Sequence, residues 1–183
     1  FEETYYSIGG GFVQTASELA SDLPAVDQGN PAPFQFKTAA EMLKMSADSG
    51  KTIAQMKWEN ELANMSPAEL TKGINKIWDV MNNCIEQGLK KDGILPGGLF
   101  VKRRAKGIHE SLRKEQSRNF TAPHIINDWM SCYAMAVNEQ NAAGAQVVTA
   151  PTNGAAGVIP ATLRYDLDQG AAPSRQTIPE CLA

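Results

Sequence analysis

The chain has 183 residues, of which 43% are hydrophobic and 20% are charged, with a formal net charge of −3. This length predicts one domain, or one domain with part of another, and allows a buried core. The ordinary composition excludes a disordered or fibrous protein. No apolar run approaches the roughly 20 residues that cross a bilayer, and no signal-peptide pattern is present. We therefore expect a globular protein without a membrane partner.

The cysteine content indicates a reducing compartment. Cys84, Cys132 and Cys181 are roughly fifty residues apart, a spacing that fits neither a paired disulfide set nor a metal site. We expect a cytoplasmic protein. Because the first residue is Phe1 rather than Met, we also expect an internal piece of a longer protein.

The first thirty-three residues differ from the rest. Residues 4–8 and 12–13 are rich in strand-forming side chains, and the three glycines between them permit a tight bend. A polar linker is predicted over residues 21–33. Two strands alone are marginally stable, so this pattern predicts further strands as partners.

From residue 34 onward the pattern is helical. Capping boxes predict helix starts after Thr38, Thr52 and Ser66. The third helix has one apolar face and is expected to end near Gly88. A short charged helix is predicted over residues 108–114.

Two further helices complete a predicted bundle. One begins at Pro123 and ends near Gly144, and the next continues through Leu163. The predicted fold class is mainly α, a bundle of about six helices over residues 34–168 preceded by a two-stranded remnant. The tail, residues 169–183, contains Gly170 and two prolines and offers no amphipathic face.

The most informative stretch covers residues 147–160, where an apolar run ends and a Gly- and Ala-rich helix begins. Thr152 or Asn153 can cap this helix, while Gly154 and Ala155 add little side-chain bulk. Free N–H groups and the positive end of the helix dipole suit a carboxylate or phosphate. The alternative is a capped helix that packs tightly against a neighbour and binds no ligand.

Other candidate residues are weaker. Asn138 and Glu139 close the preceding helix and are candidates to bind an ammonium or hydroxyl group, with simple contact to water as the alternative. His109 and His124 lack partners at ligand spacing and are interpreted as structural or surface residues. No catalytic residue can be identified from the sequence.

Residues 90–118 contain nine Lys or Arg and three acidic residues. A nucleic-acid interface would carry interleaved aromatic residues, which are scarce here, so no nucleic-acid partner is expected. The segment is interpreted as a solvated or locally paired loop. A contribution to the pocket of an anionic substrate, or to a subunit contact, is the alternative.

Several blocks, in the same order along the chain, resemble the bacterial iron–sulfur L-serine dehydratases (L-serine ammonia-lyases). The resemblance extends from about residue 3 to residue 168 and is most specific over residues 137–160. The blocks are YYSIGGGF at 5–12, NELA at 60–63, LPGGL at 95–99, RRA at 103–105, VNEQNAAG at 137–144 and the run 147–160.

The resemblance implies conversion of L-serine to pyruvate and ammonia by β-elimination of water, a step of amino-acid catabolism and gluconeogenesis. In the family a [4Fe–4S] cluster acts as Lewis acid on the substrate hydroxyl, and the full-length enzyme is expected to be a homodimer. Residues 1–33 would be the end of the small α/β domain with a linker, residues 34–168 the first part of the helical catalytic domain, and residues 169–183 a tail unlike the family. The proposed substrate-binding residues are Thr152, Asn153, Gly154, Ala155, Asn138 and Glu139.

The chain also departs from the family pattern. The family's N-terminal Ser-His loop and its cluster cysteine segments are not found, and the three cysteines lie outside the cluster motifs. We expect no cluster and no dehydratase activity in the chain alone, with the remainder of its domain or a separate subunit as its partner.

Two other classes of function remain open. One is a non-catalytic helical module that binds a small anion or a partner. The other is a pyridoxal-phosphate-type dehydratase, against which the helical pattern and the lack of a credible lysine count.

Overall fold

The computed structural model describes residues 2–9, 12–20, 30–116, 124–150, 152–170 and 177–182. Most of these residues are helical, and a two-stranded antiparallel sheet lies near the N-terminus. The predicted fold class is confirmed. The elements are β1 (Tyr5–Gly9), β2 (Phe12–Thr15), α1 (Ala16–Ala20), α2 (Ala39–Ser49), α3 (Ile53–Leu62), α4 (Pro67–Lys90), α5 (Ala105–Gln116), α6 (Ile125–Ala142), α7 (Asn153–Gln169) and α8 (Thr177–Leu182).

All three predicted capping boxes form. At the start of α2, the Thr38 hydroxyl accepts a hydrogen bond from the Glu41 amide (3.2 Å), and the Glu41 carboxylate accepts one from the Thr38 amide (3.3 Å). The same reciprocal pairs join Thr52 with Gln55 and Ser66 with Glu69. Each pair satisfies two of the N–H groups that a helix start leaves unbonded.

The chain forms two compact units, the first made of residues 1–4, 15–76 and 174–183. In this unit α3 contacts α8, and Met56 and Ile178 are fully buried. The tail was expected to offer no amphipathic face, but residues 177–182 form α8, which buries Ile178. Pro179 is compatible with α8 because it lies in the first turn, where a helix does not use its N–H groups. Residues 171–176 of the tail, and residues 21–29 of the predicted linker, lie outside the described residues.

The second unit comprises residues 5–14 and 77–173, and α6 is its central helix. α6 packs against α7 and also against α5. Its buried side chains join those of α4, α5 and α7 in one hydrophobic core. The buried members are Cys84, Ile85, Leu89, Ala105, Leu112, Trp129, Cys132, Tyr133, Ala136, Val137 and Ala161.

Two predicted helix boundaries differ from the structure by two or three residues. α4 ends at Lys90, two residues after Gly88, and Gly88 is a packing position within the helix. A Cβ atom there would lie 2.4 Å from the Ala136 carbonyl oxygen of α6. α5 begins at Ala105, three residues before the predicted start. The predicted start of α6 at Pro123 lies outside the described residues, whereas its predicted end near Gly144 is confirmed.

No helix in the described ranges combines the length and the apolar character that crossing a membrane requires.

Candidate substrate-binding site

The start of α7 is open to solvent. Thr152 is the N-cap residue, with φ −136° and ψ 152°, and its hydroxyl accepts a hydrogen bond from the Ala155 amide at 3.2 Å. The Ala156 amide bonds to the Thr152 carbonyl at 3.1 Å. The amides of Asn153 and Gly154 therefore remain as N–H groups without an intrahelical acceptor. Such groups, at the positive end of the helix dipole, favour an anion.

Little side-chain bulk surrounds these amides. Thr152, Asn153 and Gly154 are exposed, and Ala155 is half-buried. A Cβ atom added at Gly154 would meet only the Thr152 hydroxyl, at 3.9 Å. The helix entrance, by which we mean residues 152–155, therefore has space for a small ligand.

The last turns of α6 border this entrance. The Asn141 side-chain amide donates to the Asn153 side-chain oxygen at 3.3 Å. Asn138 lies against Gly157, where a Cβ atom would be 2.9 Å from the Asn138 Oδ1 atom and 3.1 Å from the Ala134 carbonyl oxygen. The structure thus places Asn138 against Gly157, further into α7 than the helix entrance, because Gly157 lets the two helices approach closely.

Glu139 lies on a different face of α6. Its side chain is buried, and Oε1 accepts hydrogen bonds from the amides of Arg104 (2.6 Å) and Ala105 (3.3 Å). The carboxylate therefore caps the start of α5, as an anion at a positive helix end. Its other oxygen, Oε2, is buried and has no hydrogen-bond partner. The alternative of simple contact with water does not hold for Glu139, because its side chain is buried.

Gln140 extends the same contact between α6 and the segment before α5. It is buried, and its Oε1 atom accepts a hydrogen bond from the Arg103 guanidinium at 3.1 Å. Lys106 pairs with Asp92 at 2.7 Å. Part of the basic segment is therefore locally paired. Sequence reasoning missed Gln140; the only available signal was its position beside Glu139 in the VNEQNAAG block.

Cys84 and Cys132 do not fit an iron–sulfur cluster, whose ligands are thiolates held close together. Cys132 is fully buried, its thiol donates to the Ala105 carbonyl oxygen at 3.4 Å, and burial raises its pKa to about 12. Burial also raises the pKa of the Cys84 thiol. Cys181 belongs to the other compact unit. Throughout the part of the chain that the structure describes, no three His, Cys, Asp or Glu side chains are grouped as metal ligands.

The fold and the site define a helical bundle with an exposed helix entrance of small residues. A family model described as serine dehydratase alpha chain matches residues 48–182. The chain belongs to this family. The match includes most of the tail, which the sequence had left outside the resemblance.

Proteins named L-serine dehydratase are similar to nearly the whole chain. The relative from Streptomyces coelicolor is 44% identical over 163 residues, which are 89% of this chain and 35% of the relative. L-serine dehydratase TdcG from Escherichia coli K12 is 43% identical over 163 residues, which are 89% of this chain and 35% of the relative. The Helicobacter pylori L-serine dehydratase is 40% identical over 167 residues, 90% of this chain and 35% of the relative. The chain therefore spans about a third of the length of these curated relatives.

Proposed function

We propose that this chain is the part of an L-serine dehydratase that binds the carboxylate of L-serine at the start of α7. The family and the names of the relatives support this substrate. The observation that carries the proposal is that Asn153 and Gly154 are exposed residues whose amides have no intrahelical acceptor. The substrate would lose water by β-elimination, and the resulting aminoacrylate would tautomerise to an imine that takes up water and releases ammonia. The net products are therefore pyruvate and ammonia.

Each residue of the entrance has a distinct part in this proposal. The carboxylate would accept hydrogen bonds from the two amides, at the positive end of α7. Thr152 is already bonded to Ala155 and so holds the first turn in place. Asn141 orients the Asn153 side chain. Gly157 and Asn138 keep α6 and α7 close, so that the polar end of α6 lies beside the ligand.

Glu139 has a different proposed part. Because its carboxylate is buried against the start of α5, Glu139 would not contact the substrate ammonium group. It would contribute to substrate binding indirectly, by fixing the position of the last turn of α6.

We expect Asn153→Asp to weaken L-serine binding at least tenfold, because a second carboxylate would repel the substrate carboxylate at the same amides. The fold should be retained, since an acidic residue in the first turn is favourable to a helix. The measurement is a titration of the chain with L-serine, monitored by the amide resonances of Gly154 and Gly157.

Asn127→Asp is the matched control, because it makes the same chemical change at an exposed position in the first turn of α6. It should leave L-serine affinity unchanged within twofold. Saturable binding that Asn153→Asp does not weaken would remove the entrance from substrate recognition. If the wild-type chain also binds acetate as tightly as L-serine, the entrance is a general small-anion site, as in the non-catalytic alternative.

We further propose that the iron–sulfur cluster of the family is ligated outside the described cysteines of this chain, and that the chain alone does not dehydrate L-serine. The burial of Cys84 and Cys132 supports this assignment. The remainder of the polypeptide, as a continuous domain or a separate subunit, would be the partner, in a homodimer. The division at residue 33 is part of the same proposal.

Anaerobic reconstitution with iron and sulfide should leave the chain colourless and without pyruvate formation from L-serine. The physical reason is that a buried thiol with a raised pKa does not ionise to ligate a metal. A brown protein with cluster absorbance and serine-dependent pyruvate release would contradict the proposal. The Streptomyces coelicolor relative, treated identically, is the positive control.

A further inference from the structure

A polar cleft of about 430 Å³ lies in the second compact unit, far from the helix entrance. This volume is in the range of small-ligand sites. Its lining comes from four helices, which makes it a feature of the packed unit rather than of one loop. The lining residues within the described ranges are Glu86, Leu89, Lys90, His109, Arg113, Gln116, Trp129, Tyr133, Arg164, Asp168 and Gln169.

The two acidic groups of the cleft are already neutralised. The Arg164 guanidinium donates to Asp168 at 2.8 Å and to Glu86 at 2.7 Å. Asp168 also accepts a hydrogen bond from the Tyr133 hydroxyl at 2.7 Å, and Glu86 lies 3.8 Å from the Lys90 ammonium group. Neither carboxylate is therefore available to attract a cationic ligand.

The cleft lining contains more positively charged side chains than negatively charged ones. Lys90, Arg113 and Arg164 carry three positive charges, and the two carboxylates carry two negative charges, so the lining has one positive charge in excess. Arg164 is occupied by both acids. Over the ranges that the structure describes, Arg113 has no ion-pair partner, and its exposed side chain reaches the cleft from α5. This guanidinium is the group that remains for an anion.

His109 stands beside Arg113 in the cleft. Its ring packs edge-on against Trp129, with centroids 5.6 Å apart. Burial lowers the pKa of His109, and the Arg113 charge lowers it further. The neutral imidazole can donate one hydrogen bond and accept another, which suits a ligand with an oxyanion and a hydroxyl group.

We propose that this cleft binds a small anion through a carboxylate or phosphate group, with Arg113 as its charge partner and His109 as a hydrogen-bond partner. The site is distinct from the proposed L-serine site. Asn153 and Asp168 are fifteen residues apart on α7, which corresponds to roughly 22 Å along the helix axis. The cleft is therefore a second ligand site on the same helix, and it does not depend on the proposed function.

The chain contains two histidines, so a titration that follows their ring protons can compare His109 in the cleft with His124 outside it. We would titrate the chain with sodium phosphate and, separately, with sodium acetate at constant ionic strength, and follow the ring proton resonances of both histidines. A bound anion favours the protonated imidazole, so binding should shift the His109 resonance saturably and raise its pKa. The exposed His124, which lies 3.6 Å from Asp128, should not respond.

The polar and charged groups that face His109 from the four helices also influence its ring resonances and its pKa. They are Glu86 and Lys90 on α4, Arg113 on α5, Tyr133 on α6, and Arg164 and Asp168 on α7. Their charges are present before and after the anion is added, so a saturable change at His109 reports the ligand.

Arg113→Gln should weaken the binding at least fivefold, whereas Arg113→Lys, which keeps the charge, should retain it within threefold. Arg104→Gln is the matched control, because it removes the same charge from an exposed side chain that does not line the cleft. Saturation by phosphate alone would assign a phosphorylated ligand, and saturation by both probes would include carboxylates. Parallel, non-saturating shifts of both histidines, or equal effects of Arg104→Gln and Arg113→Gln, would overturn the proposal.

Discussion

Replacing Gly88 with alanine is expected to destabilise the second compact unit by about 3 kcal/mol, at the upper end of typical overpacking costs. The new Cβ atom would lie 2.4 Å from the Ala136 carbonyl oxygen and 2.8 Å from the Ala136 Cβ atom. Both are atoms that cannot rotate away, so α4 and α6 would have to separate. The free energy of unfolding, measured by urea denaturation with far-UV circular dichroism, tests this expectation.

Two other helical glycines are controls for the intrinsic effect of the substitution. A Cβ atom at Gly73 in α4 or at Gly107 in α5 would have nothing within 4 Å. Because alanine has the higher helix propensity, each substitution should be neutral or stabilise by up to about 1 kcal/mol. A Gly88→Ala variant as stable as these two would show that the close contact between α4 and α6 does not exist in solution.

Glu139→Ala is the second substitution with a large expected effect, a loss of about 3 kcal/mol. It removes the acceptor of two amides, those of Arg104 and Ala105, and the unbonded N–H groups would stay at a buried helix start. It also removes a negative charge from the positive end of α5. Urea denaturation measures the loss, and hydrogen exchange of the Ala105 amide should accelerate.

Glu139→Gln separates the hydrogen bonds from the charge. It retains an oxygen acceptor and should cost about 1 kcal/mol, since a charged acceptor is worth more than a neutral one. Glu115→Ala is a second control, because that acidic residue is exposed in the last turn of α5, and its loss should change stability by less than about 0.5 kcal/mol. The capping role of Glu139 would be refuted if Glu139→Ala were no more destabilising than Glu115→Ala.

Features that depend on neighbours in the sequence were predictable. The boxes at Thr38, Thr52 and Ser66 form as expected, because each one joins residues only three positions apart. The cap of α7 by Thr152 is equally local. The mainly helical class also followed from apolar periodicity, and the sequence blocks indicated the family that the comparisons confirm.

The start of α5 could not be predicted in the same way. The residue before this helix is Arg104, which is a poor N-cap residue, and the sequence therefore favoured a start near residue 108. The cap comes instead from Glu139, thirty-five positions further along the chain. A contact at that separation depends on how α6 packs against α5, which no local pattern records.

Local sequence patterns predicted where α2, α3, α4 and α7 begin, that a small-residue helix entrance follows residue 151, and which family the chain resembles. These features rest on hydrogen bonds within one turn and on side-chain size. Packing between helices, by contrast, makes Gly88 a crossing point, and it places Asn138 against Gly157 while Glu139 is buried against α5. Adjacent residues of a helix point about 100° apart, so the packing of neighbouring helices determines which of them faces a ligand.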